Sequence, residues 1–380
     1  MEIVFTPEQE LFKQTVRQFC DREITREYVR ECDRERRPPH EVFAKIAAQG
    51  WLGINIAEEH GGAGAGATEV AILLHEVGLS FLDLAFWIFR QVTYGGMALG
   101  RDGTEAQKSR FLPRIANGVT SICFSLTEPE AGSDAASLTM SADDDGDAYV
   151  LNGQKVFTSG FKVSDVALVA ARTSGDGPKH HGITNFLVDT DSPGLEASPI
   201  ETLGHWPLGT ALLYFTDVRV PKDRVLGTVD DGWAALGDYL RYERLCLSAA
   251  RSGAARAALT DALEYAKERH QFGKPISYFQ AVSHRLADMQ VLVEISEMLA
   301  YRYASRLDSG TATTRDAAIL KLYACEAYKQ VADMGLQVLG GYGYTMEYDL
   351  QRHFRESRLG VIGAGTSDIQ RNIIAKTMGI

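Results

Sequence analysis

Behind Thr6 and Pro7 the chain sets Phe12, Val16, Phe19 and Cys20 three and four residues apart, the spacing of one helix face. Thr6 and Gln9 have the types of a capping box, and Pro7 suits the first helical position. Further helical runs lie at 42–49, 68–77, 84–99 and 105–117, with Gly or Pro between them. Residues 1–120 therefore read as an N-terminal all-α domain. At Ser121 the period changes. Short β-rich runs follow at 148–151, 154–157, 166–171, 183–188 and 211–220, and Asn152-Gly153 reads as a hairpin turn between the first two. That spacing predicts a middle antiparallel β-sandwich or barrel domain over 121–228. Only one of the eleven prolines, Pro275, lies beyond Pro221, so 229–380 can sustain long helices. Small residues crowd 248–258 and let two of those helices approach closely, which suits a C-terminal four-helix bundle. The fold class expected is α+β, in the order α, β, α.

Length and charge narrow the function. A chain of 380 residues exceeds what one core of roughly 250 residues holds, so two or three domains are expected. No apolar run approaches the ~18 residues of a membrane span, and the first residues lack the pattern of a secretory leader, which points to a soluble, cytoplasmic protein. Net charge is −11, against the phosphate attraction that nucleic-acid binders need. The five cysteines are scattered and never paired as C-x-x-C, so neither a disulfide framework nor a metal site is expected. One decoy remains: Gly62-Ala-Gly-Ala-Gly-Ala67 follows a strand-like 51–57 and precedes a helix, the outline of a dinucleotide fingerprint. Its flanks look helical rather than βαβ, so a Gly-rich turn is the better reading and an NAD enzyme the lesser one.

Three separated motifs carry the chemistry. Leu126-Thr-Glu-Pro-Glu-Ala-Gly-Ser-Asp134 reads as a strand end entering a Gly-bearing turn, where N–H groups and hydroxyls can face a flavin ring and a pyrophosphate. In Arg269-His-Gln-Phe-Gly-Lys-Pro-Ile276, followed by Phe279-Gln280, Arg269 offers a phosphate fork, Phe272 an adenine wall and Gly273 a close backbone approach. Standing alone, Arg269 would be better read as the cap of a helix C-terminus. The third runs from Gln337-Val-Leu-Gly-Gly-Tyr-Gly343 to Gly365-Thr-Ser-Asp-Ile-Gln370. In this order and register the chain resembles the acyl-CoA dehydrogenase family along essentially its whole length. The resemblance implies FAD as cofactor. It implies that Phe124, Leu126 and Thr127 touch the flavin edge, that Ser133 helps hold phosphate and substrate, and that Phe157 and Ser159 stand beside the ring where relatives commonly have Trp and Thr. It further implies that Arg269, Gln271, Phe272, Gln280, Gln337, Gly340 and Gly341 reach the FAD of a neighbouring subunit, with Thr366 and Asp368 completing the FAD contacts. A dimer is then the smallest complete unit and a homotetramer the family habit.

Most relatives carry their catalytic glutamate immediately before the Gly-Thr that here is Gly365-Thr366, where this chain has Ala364. The isovaleryl and long-chain branches place it earlier, in a Glu-Arg pair, and Tyr242-Glu243-Arg244-Leu245 matches that pattern 26 residues before Arg269. By this resemblance Glu243 takes the α-proton of an acyl thioester while a hydride passes from the β-carbon to FAD, and the main-chain N–H of Ala364 steadies the enolate oxygen. A Glu paired with Arg on a solvated helix face is the bland alternative. Arg244, Gly365, Lys376 and Ser133 match substrate contacts, Lys376 near the CoA phosphates. An acyl-CoA or an acyl-carrier-protein thioester is the expected substrate, prolyl groups included, with an electron-transfer flavoprotein as acceptor and no metal, nucleic acid or membrane partner. The aromatic run 84–94 reads as core that lends part of an acyl pocket, and Arg90 and Arg241 could favour a polar acyl group. Reduction of an enoyl thioester and a non-catalytic flavin subunit stay open, the latter because of Ala364 and Phe157.

Overall fold

The computed structural model describes residues 5–175 and 177–380. Helices α1 (Pro7–Glu23), α2 (Arg26–Glu35), α3 (His40–Ala48), α4 (Ala67–Ser80) and α5 (Leu82–Arg90) come first. α5 runs on as π-helix over Gln91–Leu99 into one turn, α6 (Gly100–Asp102), and α7 (Glu105–Ala116) follows. The capping box at Thr6 forms as the residue types require, Thr6 Oγ1 receiving the Gln9 N–H at 3.2 Å. Only α2 was not foreshadowed; its charged sequence hides the buried Val29 and Cys32.

Eight strands form the middle region: β1 (Ile122–Ser125), β2 (Ser141–Asp144), β3 (Ala148–Ser159), β4 (Val166–Arg172), β5 (Ile183–Asp189), β6 (Leu195–Ile200), β7 (Thr210–Pro221) and β8 (Val225–Leu226). They join in one sheet, in the order β6-β7-β3-β2-β4-β5-β8, with β1 on β4. Most pairings are antiparallel, but β1 and β2 each meet β4 in parallel. Alternate residues such as Leu151, Val169, Phe186 and Leu213 bury one face in a common core. The hairpin expected at Asn152-Gly153 does not form, because β3 runs straight through it. Asn152 instead exchanges two hydrogen bonds with Asp217 of β7, at 3.0 and 2.8 Å, beside a register shift. Gly153 is required there, since a Cβ would sit 2.9 Å from Met140.

The C-terminal region holds α8 (Gly232–Glu268), the hairpin β9 (His270–Gln271) and β10 (Lys274–Pro275), α9 (Gln280–Asp308), α10 (Thr314–Leu339), α11 (Leu350–Gly360) and α12 (Ser367–Met378). By packing, the described residues divide into two compact units. One gathers the segments up to Glu31, Gly66–Phe86 and Glu243–Ile380; the other gathers Cys32–Ala65 and Trp87–Tyr242. In the first, the small residues of α8 admit α4 of the N-terminal region rather than a second C-terminal helix: a Cβ on Gly253 would lie 2.1 Å from the His75 carbonyl of α4, and one on Gly78 2.3 Å from that of Ala250.

The dinucleotide outline fails on physical grounds. Trp51–Gly53 is a 3-10 turn, not a strand. The N-terminus of α4, where a pyrophosphate would rest, is already occupied by Asp308, which takes the Ala67 and Thr68 N–H groups at 2.6 and 3.0 Å.

Candidate active site

In the sheet-bearing unit, β1 and β3 bring two motif segments side by side. Ser125 Oγ and Thr158 Oγ1 meet at 2.7 Å, and the Val156 N–H donates to the Thr127 carbonyl at 2.8 Å. Residues 124–127 and 157–159 are therefore neighbours. Phe124 stacks on the buried Tyr94 ring at 4.7 Å, so the π-helical stretch backs this segment. Behind it Lys155, with no exposed surface, donates to the Leu126 carbonyl at 3.0 Å and to Glu128 Oε1 at 2.8 Å. Glu128 also receives the Thr139 and Met140 N–H groups at 2.7 and 3.0 Å. Burial pushes the Lys155 ammonium down to about 8 against the pull of Glu128. Against the upward push of burial, Lys155 and the two N–H donors hold Glu128 below the usual carboxylate range.

Phe157 is the strained member. It stands at φ 60° where the β3–β7 register breaks, and its ring is 63% exposed. A bulky residue in the left-handed region costs about 1–3 kcal/mol, and such strained residues cluster at functional sites. Ser159 lies two residues on, its Oγ 3.4 Å from Thr210 Oγ1. Ser133 is exposed in a turn where Gly132 has open space at its Cβ position, and Lys179 binds the next residue, Asp134, at 2.7 Å.

In the helical unit, Glu243 and Arg244 sit mid-helix on α8 and are 8% and 7% exposed, so the reading of a solvated pair fails. Lys321 of α10 is fully buried beside them and donates to the Gly365 carbonyl at 2.5 Å. Burial pushes Lys321 down to about 8; Cys325 and Glu243 oppose that fall, and Arg251 and Arg244 add to it. Gln370, also fully buried, donates through Nε2 to the carbonyls of Gly365 and Ala364 at 3.0 and 3.3 Å. Ala364 and Gly365 are both left-handed, at φ 55° and 82°, and among the described residues the Ala364 N–H donates to no acceptor. Thr366 caps α12 by receiving the Ile369 N–H at 3.2 Å. Asp368 and Lys376 are exposed on α12, Asp368 lying 3.6 Å from Arg371.

The same unit carries the hairpin motif. Phe272 at φ 50° and Gly273 at φ 79° make its two-residue turn, and Phe272 is 93% exposed at the tip. Arg269 lies 5.5 Å over the Tyr342 ring. A cleft of about 460 Å³ gathers Arg269, Gln271, Gly340 and Gly341 on one wall system, with Gly340 and Gly341 leaving open space where a Cβ would stand. Gln337 and Gln280 are exposed on α10 and at the start of α9.

The sites expected from sequence thus fall into a sheet group, 124–159, and a helical group, 243–376. The aromatic run proves to be core, with Phe86, Trp87 and Phe89 buried. Arg90, also buried, packs on Gly160, where a Cβ would meet its guanidinium at 2.2 Å, and Arg241 pairs with Asp238. Lys321, Gln370, Tyr94 and the Lys155–Glu128 pair were missed. Lys321 left a signal: it interrupts the apolar stripe Ala317, Ala318, Ala324, Cys325 and Tyr328 of α10, where a lysine needs a buried acceptor.

Family models match three consecutive parts of the chain: acyl-CoA dehydrogenase N-terminal domain over 6–119, middle domain over 123–218 and C-terminal domain over 230–379. The probable acyl-CoA dehydrogenase YngJ of Bacillus subtilis is 35% identical over 100% of both chains. The 3-(aryl)acrylate reductase of Clostridium sporogenes is 33% identical over 98% of this chain and 99% of its own. Among solved structures, the prolyl acyl carrier protein oxidase AnaB is 28% identical and superposes with a TM-score of 0.94, covering 99% of this chain and 100% of its own.

Proposed function

We propose, from the premise that the chain belongs to the acyl-CoA dehydrogenase family, that it is an FAD-dependent oxidoreductase converting an acyl thioester, an acyl-CoA in the first instance, to its trans-2-enoyl thioester. Glu243 is the base, as in the isovaleryl and long-chain branches. One observation carries this: Glu243 is a buried carboxylate acting on Lys321, whose ammonium holds the very turn in which Ala364 stands where most relatives have their glutamate.

The donor set fits FAD. Arg269 makes no ion pair among the described residues and keeps its guanidinium for phosphate, Gly340 and Gly341 leave backbone open, and Phe157 offers an unshared aromatic face. Arg269, Gln271, Phe272, Gln280, Gln337, Gly340, Gly341, Thr366 and Asp368 would hold its ADP part, and Phe124, Leu126, Thr127, Ser133, Phe157 and Ser159 its ring and pyrophosphate. Bound FAD supplies the hydride acceptor for the β-hydrogen. Glu243 removes the α-proton, and burial keeps water from competing for its oxygens. The uncommitted Ala364 N–H is the donor for the thioester oxygen as negative charge grows there; one such donor is worth about 3 kcal/mol. Arg244, Gly365, Ser133 and Lys376 position the rest of the ligand.

The fully exposed Phe272 and the open cleft beside it suit completion by a second copy, hence a homotetramer built of dimers, with an electron-transfer flavoprotein as acceptor. A carrier-protein thioester is a second reading, favoured by the likeness to AnaB over its full length. Comparing CoA and carrier-bound thioesters as reductants separates the two. For the base, Glu243→Gln should leave a folded, yellow, ligand-binding protein whose anaerobic bleaching by substrate is slower by roughly 10²–10⁴-fold. Near-normal bleaching refutes the assignment.

A further inference from the structure

We propose that Lys321 is a positioning residue for the reaction: together with Gln370 it pulls the carbonyls of the 364–365 turn inward, so that the Ala364 N–H is held ready for the thioester oxygen. The inference rests on the dehydrogenase reading above and deepens it. A lysine with no exposed surface is costly to bury, and a single main-chain acceptor at 2.5 Å, Gly365 O, is the partner it has chosen. Gln370 adds a second donor to the same oxygen and reaches the Ala364 carbonyl as well. Two adjoining left-handed residues, one of them not glycine, would relax without such anchors. With both carbonyls tied to buried donors, the 364–365 and 365–366 peptides are fixed in orientation, and through Ala364 at φ 55° they limit the preceding peptide, which carries the Ala364 N–H. The N–H of Ala364 is left without any acceptor of the protein's own among the described residues.

Among the described residues the hydrogen bond Lys321 makes is to Gly365 and not to Glu243, so it acts through that carbonyl. Its charge is nonetheless set by the site: Cys325 on its own helix, and Glu243, Arg244 and Arg251 on α8, face it. Neutralising it as pH rises past about 8 weakens its grip on the Gly365 carbonyl.

The test uses the flavin-loaded enzyme and an acyl thioester that has α-hydrogens but no β-hydrogens, so that proton removal is seen without oxidation. Exchange of the α-hydrogens in D2O is followed by mass spectrometry across pH 6.5–9.5. Lys321→Met should slow exchange by roughly 10²-fold, the scale of one misplaced oxyanion donor, with thioester affinity changed far less. Lys321→Arg should restore most of the rate and remove the decline above about pH 8. If Lys321→Met does not fold, Gln370→Met reports on the same turn and should slow exchange in the same direction. Failure of the wild-type protein to exchange any thioester refutes the dehydrogenase reading, and the positioning role with it. Wild-type exchange alongside an unimpaired, folded Lys321→Met overturns the positioning role alone. So does a Lys321→Arg variant as slow as Lys321→Met.

Discussion

Replacing Lys155 by Met tests how the sheet supports the 124–128 segment, which the proposed function sets against the flavin. The lysine is fully buried, and its ammonium bonds both the Leu126 carbonyl and Glu128. Methionine of similar length would fill the space but leave Glu128, only 5% exposed, with main-chain and Thr139 hydroxyl donors alone. Breaking one side of a buried pair costs about 3–5 kcal/mol. The donors that Glu128 keeps place this case at the low end, about 3 kcal/mol. Local opening of the two strands should then be roughly 10²-fold more frequent. Hydrogen exchange by mass spectrometry, on peptides spanning 122–128 and 148–159 at pH 7, reads that loss of protection directly. Adding Glu128→Gln removes the stranded charge, so the double variant should recover most of the protection. Unchanged protection in the single variant, or no recovery in the double one, would mean that the pair does not brace the segment.

Two further outcomes are expected. His75 lies 3.0 Å from both Glu76 and Glu297, with Arg256 on Glu297 and Arg17 facing Glu76; against burial, the two carboxylates raise it to about 9. A raised histidine stabilises fully below about 6.5 and loses that contribution as pH rises through about 9, so melting temperature should fall over pH 6.5–9.5 in the wild type and stay flat in His75→Gln; equal curves refute the clamp. Phe272→Gly, which relieves a left-handed phenylalanine, should not lower protomer stability but should cost flavin content and assembly, read by absorbance and light scattering; full retention of both removes Phe272 from the intersubunit role.

How much was legible follows from what each feature depends on. Helices α1, α4, α7 and most strands repeat apolar residues at their own period, a local signal that survives in one sequence. Motif register singled out Glu243 and Ala364, and the structure buries the first and sets the second at φ 55°. The Asn152-Gly153 turn misled because the partner that keeps β3 straight, Asp217, lies 65 residues away. Lys155–Glu128 and Lys321–Gly365 escaped for the same reason, since a buried cation is decided by an acceptor 27 or 44 residues distant.

Backbone strain ties these levels together. Seven non-glycine residues among those described have positive φ, and three of them, Phe157, Phe272 and Ala364, belong to positions that the motifs had singled out. The left-handed region costs a residue with a Cβ about 1–2 kcal/mol, a noticeable share of the 5–15 kcal/mol that keeps a domain folded. Glycine at each would satisfy the backbone better. Phe157 and Phe272 also expose their rings, so neither gains burial in the protomer to offset the strain. A side chain that is strained and mostly exposed contributes little to the fold of the isolated chain, and Phe272 keeps one edge contact, with Phe279 at 5.9 Å. What such a side chain can contribute is contact with something the chain binds, which in the proposed function is a ring system at Phe157 and a second copy at Phe272.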